Sequence, residues 1–204
     1  LLPEIEEVKE DDAAVVELSS FQLISMRRSP DVAVITNVAP NHLDVHKDMQ
    51  EYIDSKKNLY LHQNAFSRTV LNLDNDVTRS FATEVRGELS FFSRREMPEN
   101  GAFLDEDGVL YAVHHGRKEA LLKKDEIVIP GLHNVENYLA AISAVDGEVE
   151  PEKIVKVAKT FGGVEHRIER VRELDGVTWY NDSIASSPSR TIAGLNSFNQ
   201  KIII

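Results

Sequence analysis

Short apolar runs alternate with stretches of helical periodicity along most of the chain. AAVVEL (13–18) and DVAVITNVA (31–39) are brief and rich in β-branched residues, the pattern of strands buried on both faces. Between them FQLISMRR (21–28) reads as helical. Asp48 opens a clear helix to about Gln63, with Asp48 and Glu51 spaced as a capping box. RTVLNLD (68–74) and LSFFS (89–93) read as further strands. GAFLDEDGVLYAV (101–113) predicts a hairpin turning at Asp107-Gly108, and IVIPG (127–131) a strand ending in a turn. Asn134 is placed to cap a helix whose Val135, Leu139, Ile142 and Val145 share one face, with Gly147 ending it. Pro151 sits in the first turn of the next helix. Ile154, Ala158 and Phe161 line its face, and Gly162-Gly163 stop it. A second hairpin follows, RVREL–DG–VTWYN (170–181). Ser187-Pro188 then opens a helix to about Asn196, and Lys201–Ile204 reads as a strand just beginning.

Strands alternating with helices predict an α/β fold, a central sheet flanked by helices. Gly162-Gly163 is the natural boundary, dividing residues 1–163 from 164–204. There is no internal repeat. The chain starts at Leu1 rather than Met and stops inside an apolar run, so a piece of a longer protein is expected.

Composition narrows the function classes. Of 204 residues, 42% are hydrophobic and 28% charged, an ordinary globular balance. A formal net charge of −11 argues against a nucleic-acid surface, which needs clustered Lys and Arg. Small anions are still permitted, because helix N-termini, a few cations and metal ions hold phosphates locally. No apolar run is long enough to span a bilayer, and no basic segment precedes an apolar one at the start. The absence of Cys rules out disulfides and thiolate metal sites and fits a cytoplasmic protein.

Five constellations could carry chemistry. Glu17 in ELSSFQL ends an apolar run and is followed by Ser19 and Ser20. A carboxylate at that edge of a sheet can hold Mg²⁺, or it can simply end a strand before a serine-capped helix. His42 and Asp44 follow the second strand, either as a metal ligand with an orienting acid or as solvated loop residues. Lys56 falls on the apolar stripe of its helix beside Tyr52, Ile53, Leu59 and Tyr60. Its amine either snorkels to water or is desolvated, with a lowered pKa and open to modification. Asn134 and Asn137 lie three apart at a helix start, where amides can read a purine edge. Arg167, after His166, can meet a phosphate bidentately, and Asp182 in NDSIASSP can accept from ribose hydroxyls.

Taken in this order and spacing, ELSSFQL, TNVAPNHLDVH, the lysine helix, GLHNVENYLAA and NDSIASSP resemble the Mur ligase family, and the resemblance covers essentially the whole chain. ELSSFQL and NDS-x-A-x-S-P are similar to its D-glutamate-adding branch. The resemblance implies ATP-dependent formation of an amide between UDP-N-acetylmuramoyl-L-alanine and D-glutamate, through an acyl phosphate, in a cytoplasmic, monomeric parent enzyme. It also implies a central ATPase-type domain over residues 1–163 and the start of a Rossmann-like C-terminal domain over 164–204. Two Mg²⁺ are implied, with Glu17, His42 and a carbamylated Lys56 as ligands. Ser19 would contact the UDP precursor and Ser186 would lie near D-glutamate. Asn134 and Asn137 would sit near the adenine, and Arg167 and Asp182 near phosphates and ribose.

Two departures stand out. The phosphate-cradling G-x-x-x-x-G-K-[ST] loop is absent and is expected upstream of Leu1, so these residues alone are not expected to turn over. Ile184 stands where many relatives carry Lys. The competing reading is a non-catalytic nucleotide-binding or regulatory protein of the same fold.

Overall fold

The computed structural model describes residues 5–39, 46–198 and 200–204. Its centre is a six-stranded sheet in the order β1 (Val32–Ile35), β2 (Arg68–Asn72), β3 (Glu88–Ser93), β4 (Gly101–Leu104), β5 (Val109–His114) and β6 (Arg117–Lys123). β1 to β4 pair in parallel; β4, β5 and β6 form an antiparallel meander. The hairpin at Asp107-Gly108 forms as expected, with Gly108 at φ +76°. Only seven residues, 94–100, return the chain from β3 to its parallel neighbour β4. That is possible because the two strands overlap over just three residue pairs. Gly101 makes the junction, at φ +123°, where a Cβ would fall 1.9 Å from the Phe91 carbonyl oxygen.

Helices cover both faces. α2 (Met49–Lys57) connects β1 to β2, and α3 (Asp76–Ser80) with a 3₁₀ turn (Phe81–Glu84) connects β2 to β3. Tyr52 of α2, Tyr60 in the turn after it and Phe81 of the 3₁₀ turn pack on Ala33, Ile35 and Leu71. On the opposite face α4 (Leu132–Ala144) lies across the sheet, with α5 (Pro151–Thr160) beside it. There Val135, Leu139, Ile142 and Ala158 bury Val70, Phe92 and Leu110. The neighbours Val70 and Leu71 thus serve opposite cores, as alternating strand positions must. A separate two-stranded sheet, β7 (Glu169–Leu174) and β8 (Val177–Asn181), precedes α6 (Pro188–Leu195).

Several expectations fail, each for a physical reason. Residues 13–18 form no strand, and Val15 is 98% exposed, because no neighbouring strand among the described residues supplies a ladder for their backbone. Residues 127–131 are irregular; RKEALLK instead forms β6, paired with β5 despite four exposed residues in succession. Residues 201–204 form no strand either, with Ile204 94% exposed. The helix predicted over 21–28 shrinks to α1 (Ser20–Leu23). Asn134 is not a cap. Gly131 takes that position at φ +101°, where its missing Cβ would lie 2.5 Å from Ser197 Oγ. Asp48 does cap α2, accepting from Glu51 N at 2.8 Å, but the Glu51 carboxylate accepts from Lys47 N rather than closing the box. Among the described residues, no helix is long and apolar enough to cross a membrane.

Candidate functional site

The C-terminal ends of the parallel strands are tied together. Asn72, ending β2, donates to the Thr36 carbonyl beyond β1 at 2.9 Å. Asn75 caps α3 and donates to Asn37 Oδ1 at 2.7 Å. Arg94, just past β3, pairs with Glu136 of α4 at 2.5 Å. The start of α4 therefore stands at this sheet edge, where open α/β sheets place their ligands.

One group forms where α1 meets α2. Ser19 caps α1 and closes a capping box with Gln22, whose Oε1 accepts from Ser19 N at 2.8 Å and from Ser19 Oγ at 2.9 Å. Lys56 is half-buried near the end of α2, its Nζ 5.7 Å from the centre of the Tyr52 ring. Burial pulls the Lys56 amine below its usual range, and the facing Glu17 carboxylate pushes it back up. Burial is the larger effect, so the neutral amine is more accessible than on a surface lysine. Glu17 itself is exposed and belongs to an irregular segment, not to the end of a strand. His42 lies outside the described residues, as does Asp44. Among the described residues there is no cluster of three or more His, Cys, Asp or Glu arranged to hold a metal.

A second group lines a cavity of about 330 Å³ between α4, α5 and the segment entering β7. Asn134, Asn137 and Arg167 meet there, beside Val157, Phe161 and Val164. Asn134 Nδ2 donates to the Pro130 carbonyl at 2.6 Å, and its Oδ1 accepts from Asn137 Nδ2 at 3.4 Å. Both functions of Asn134 are thus engaged, which fixes the Asn137 amide at the cavity wall. Asn137 Oδ1 has no hydrogen-bond partner among the described residues. Arg167 is flanked by two residues in the left-handed region, His166 at φ +65° and the β-branched Ile168 at φ +45°. Such strain in a non-glycine backbone persists only where surrounding structure enforces it, and here Ile168 N donates to Asp182 Oδ1 at 3.2 Å. Asp182 packs on α6 at Gly194, where a Cβ would lie 2.7 Å from Asp182 Oδ2. His133 is held toward its neutral form chiefly by burial; Arg167 adds to the effect, while Glu136 and Asp182 oppose it. Ser186 is exposed in the turn before α6, two residues beyond the exposed Ile184.

The structure thus puts the Glu17 charge within electrostatic reach of Lys56 and, separately, gathers Asn134, Asn137 and Arg167 at the cavity, with Asp182 bonded to Ile168 N beside them. It gives Ser19 a local capping duty and leaves Ser186 at the surface. The sequence reading missed the cavity wall. Phe161, expected on the core face of α5, is 42% exposed and lines the cavity with Val157, one turn before it. It also gave no role to His46, the last residue of TNVAPNHLDVH, which is buried between α1 and α2; its partner Ser20 is 26 residues away.

The family described as Mur ligase middle domain matches residues 3–145. A UDP-N-acetylmuramoylalanine--D-glutamate ligase of Acetivibrio thermocellus is 57% identical over the whole chain, which spans 44% of that relative. One of the same name from Clostridium botulinum is 53% identical, with 43% of its length spanned. The chain therefore covers under half the length of these relatives. Among solved structures, MurF from Acinetobacter baumannii superposes with a TM-score of 0.63 at 20% identity, over 84% of this chain and 38% of that one. MurC from Thermotoga maritima gives 0.59 at 18%, over 83% and 38%. At these identities the structures establish the fold alone.

Proposed function

The chain belongs to the Mur ligase family, whose middle domain it contains, and from that premise we propose that it serves an ATP-dependent ligase joining D-glutamate to UDP-N-acetylmuramoyl-L-alanine. The 57% identity to a ligase of that name supports the substrate pair. On this reading residues 1–163 belong to the ATP-binding domain and 164–204 begin a Rossmann-like C-terminal domain. The parent enzyme is monomeric and works in the cytoplasm.

The observation that carries the mechanism is the half-buried Lys56 amine over the Tyr52 ring, with the Glu17 carboxylate in electrostatic reach. Its neutral Nζ can attack CO₂, forming an N–C bond and releasing one proton, which leaves a carbamate. A lysine ammonium would repel a cation, whereas a carbamate opposite Glu17 makes two anions that need one between them. Glu17, a Lys56 carbamate and His42 would hold Mg²⁺, which hard oxygen donors suit. Bound there, Mg²⁺ supplies charge neutralisation at the transferred phosphoryl group.

The adenine enters the cavity beside α4. Asn137 offers its amide oxygen to an exocyclic amine, Asn134 orients it, and Phe161 and Val157 provide the apolar wall. Arg167 meets a phosphate and Asp182 a ribose hydroxyl. Ser19 contacts the UDP precursor and Ser186 the incoming D-glutamate. An oxygen of the alanyl carboxylate attacks the γ-phosphorus and ADP leaves. The D-glutamate amine then attacks the acyl carbon, losing a proton as inorganic phosphate departs.

Lys56→Ala in the full-length protein tests this. ADP release with both substrates should fall by about a hundredfold or more, the scale of losing one electrostatic stabiliser, and added bicarbonate should not restore it. Near-normal turnover would refute the carbamate role. A protein that binds ATP but releases no ADP with either residue at this position would favour the non-catalytic reading.

A further inference from the structure

His46 is 4% exposed and sits where the two elements of the lysine site touch. Its Nε2 lies 2.8 Å from Ser20 Oγ, itself buried in the first turn of α1. Its Nδ1 lies 3.5 Å from Glu51 Oε2 of α2. A proton on Nδ1 would face that carboxylate and leave Nε2 to accept from the Ser20 hydroxyl. One face of the imidazole stacks on Phe21 of α1, at 5.3 Å and 8°. Its edge meets the Tyr52 ring of α2, also at 5.3 Å. Tyr52 in turn carries Lys56, whose Nζ stands 5.7 Å from its ring centre.

These contacts form one continuous path. Lys56 rests on Tyr52, Tyr52 on His46, and His46 on Ser20 and Phe21, which directly follow the segment bearing Glu17 and Ser19. We infer that His46 is a positioning residue that sets the separation between Glu17 and Lys56, acting through Ser20 on one side and Tyr52 on the other. The inference rests on the reading of Glu17 and Lys56 given above.

The need for such a residue follows from the local fold. The segment carrying Glu17 has no strand ladder, and α1 is four residues long, too short to hold itself. A further polar tie joins its far end to the residue capping α2, where Asn58 Nδ2 donates to the Leu23 carbonyl at 3.0 Å and to the Ile24 carbonyl at 3.5 Å. Without His46 the turn can pivot about that tie, and Glu17 moves relative to Lys56.

The test uses the full-length protein with three variants. His46→Phe keeps the ring stack and loses both polar ends. Ser20→Ala removes the other half of the hydrogen bond. His46→Gln can return an amide to Ser20 Oγ. The first readout is the carbamate carbon signal after ¹³C-bicarbonate loading with Mg²⁺ and without nucleotide, identified by its disappearance in Lys56→Ala. It should fall severalfold in His46→Phe and Ser20→Ala and recover in His46→Gln. The second is the Mg²⁺ concentration for half-maximal ADP release. It should rise by about tenfold or more in the first two variants, the scale seen when a residue supporting a metal ligand is lost. The KM for ATP should stay within about twofold, since the adenine cavity is built on other elements.

Wild-type carbamate signal and Mg²⁺ requirement in His46→Phe would overturn the inference. So would losses accompanied by exposure of α4 amides to hydrogen exchange, or losses that His46→Gln fails to relieve, since either marks a merely structural role. If the wild type shows no carbamate signal and Lys56→Ala turns over normally, the reading of Lys56 fails instead. The Mg²⁺ requirement of the His46 variants still decides the role of His46 in placing Glu17.

Discussion

Asn134 and Asn137 have the same side chain and unequal roles. Asn134 spends its donor on the Pro130 carbonyl and its acceptor on Asn137, while the Asn137 oxygen has no partner among the described residues. Asn137→Leu is therefore expected to raise the KM for ATP about tenfold with kcat nearly unchanged, the scale of one hydrogen bond to a ligand. Asn134→Ala should do nearly as much, by releasing Asn137; an Asn134 variant with normal KM would show that the pairing is dispensable. Steady-state ADP release at varied ATP reads both. Lys56 was legible as an anomaly because a lysine on an apolar stripe breaks the helical pattern. Whether it snorkels or is desolvated was not, because that depends on what packs over it, and Glu17 comes from a segment 39 positions earlier. His46 stood inside a quoted motif, but its role was not legible, since a histidine declares little until its partners are known.

At the scale of elements, start signals held better than element types. Asp48 caps α2 as its spacing with Glu51 implies, and Asp48→Ala should cost about 1 kcal/mol, read as a lower urea midpoint of unfolding with an unchanged slope. No loss would mean that the Glu51 contact to Lys47 N suffices at that end. Three short apolar runs, 13–18, 127–131 and 201–204, read as strands and are not. β6, which no apolar run marks, is a strand. The cause is the same in both directions. A strand has no hydrogen bonds of its own, so it exists only where a neighbour offers a ladder, and β5 offers one to β6. α4 and α5 satisfy their own backbones, and their periodicity was enough to predict them.

For the whole molecule, the two cores on opposite faces of one sheet determine how it responds to pH. Tyr52 and Tyr60 lie in one core and Tyr138 in the other, and burial raises all three phenols above their usual value near 10. For Tyr60, the neighbouring Glu84 carboxylate adds to the effect of burial. A phenol whose folded pKa is raised stabilises the fold below its unfolded pKa, and that contribution drains away as pH climbs past about 10. Alkaline unfolding should therefore be cooperative, with phenolate absorbance and loss of circular dichroism rising together; three phenolates appearing before the fold is lost would contradict it. The sequence by itself determined the α/β class, the long helices, the main hairpins and the motifs that mark the family, because periodicity and turn chemistry are local. Only the tertiary structure decided which apolar runs become strands, that the Glu17 charge reaches Lys56, and that two amides, an arginine and an apolar wall line one cavity. Those facts depend on groups far apart in the chain meeting in space, as His46 meets Ser20, 26 residues away, where α1 joins α2.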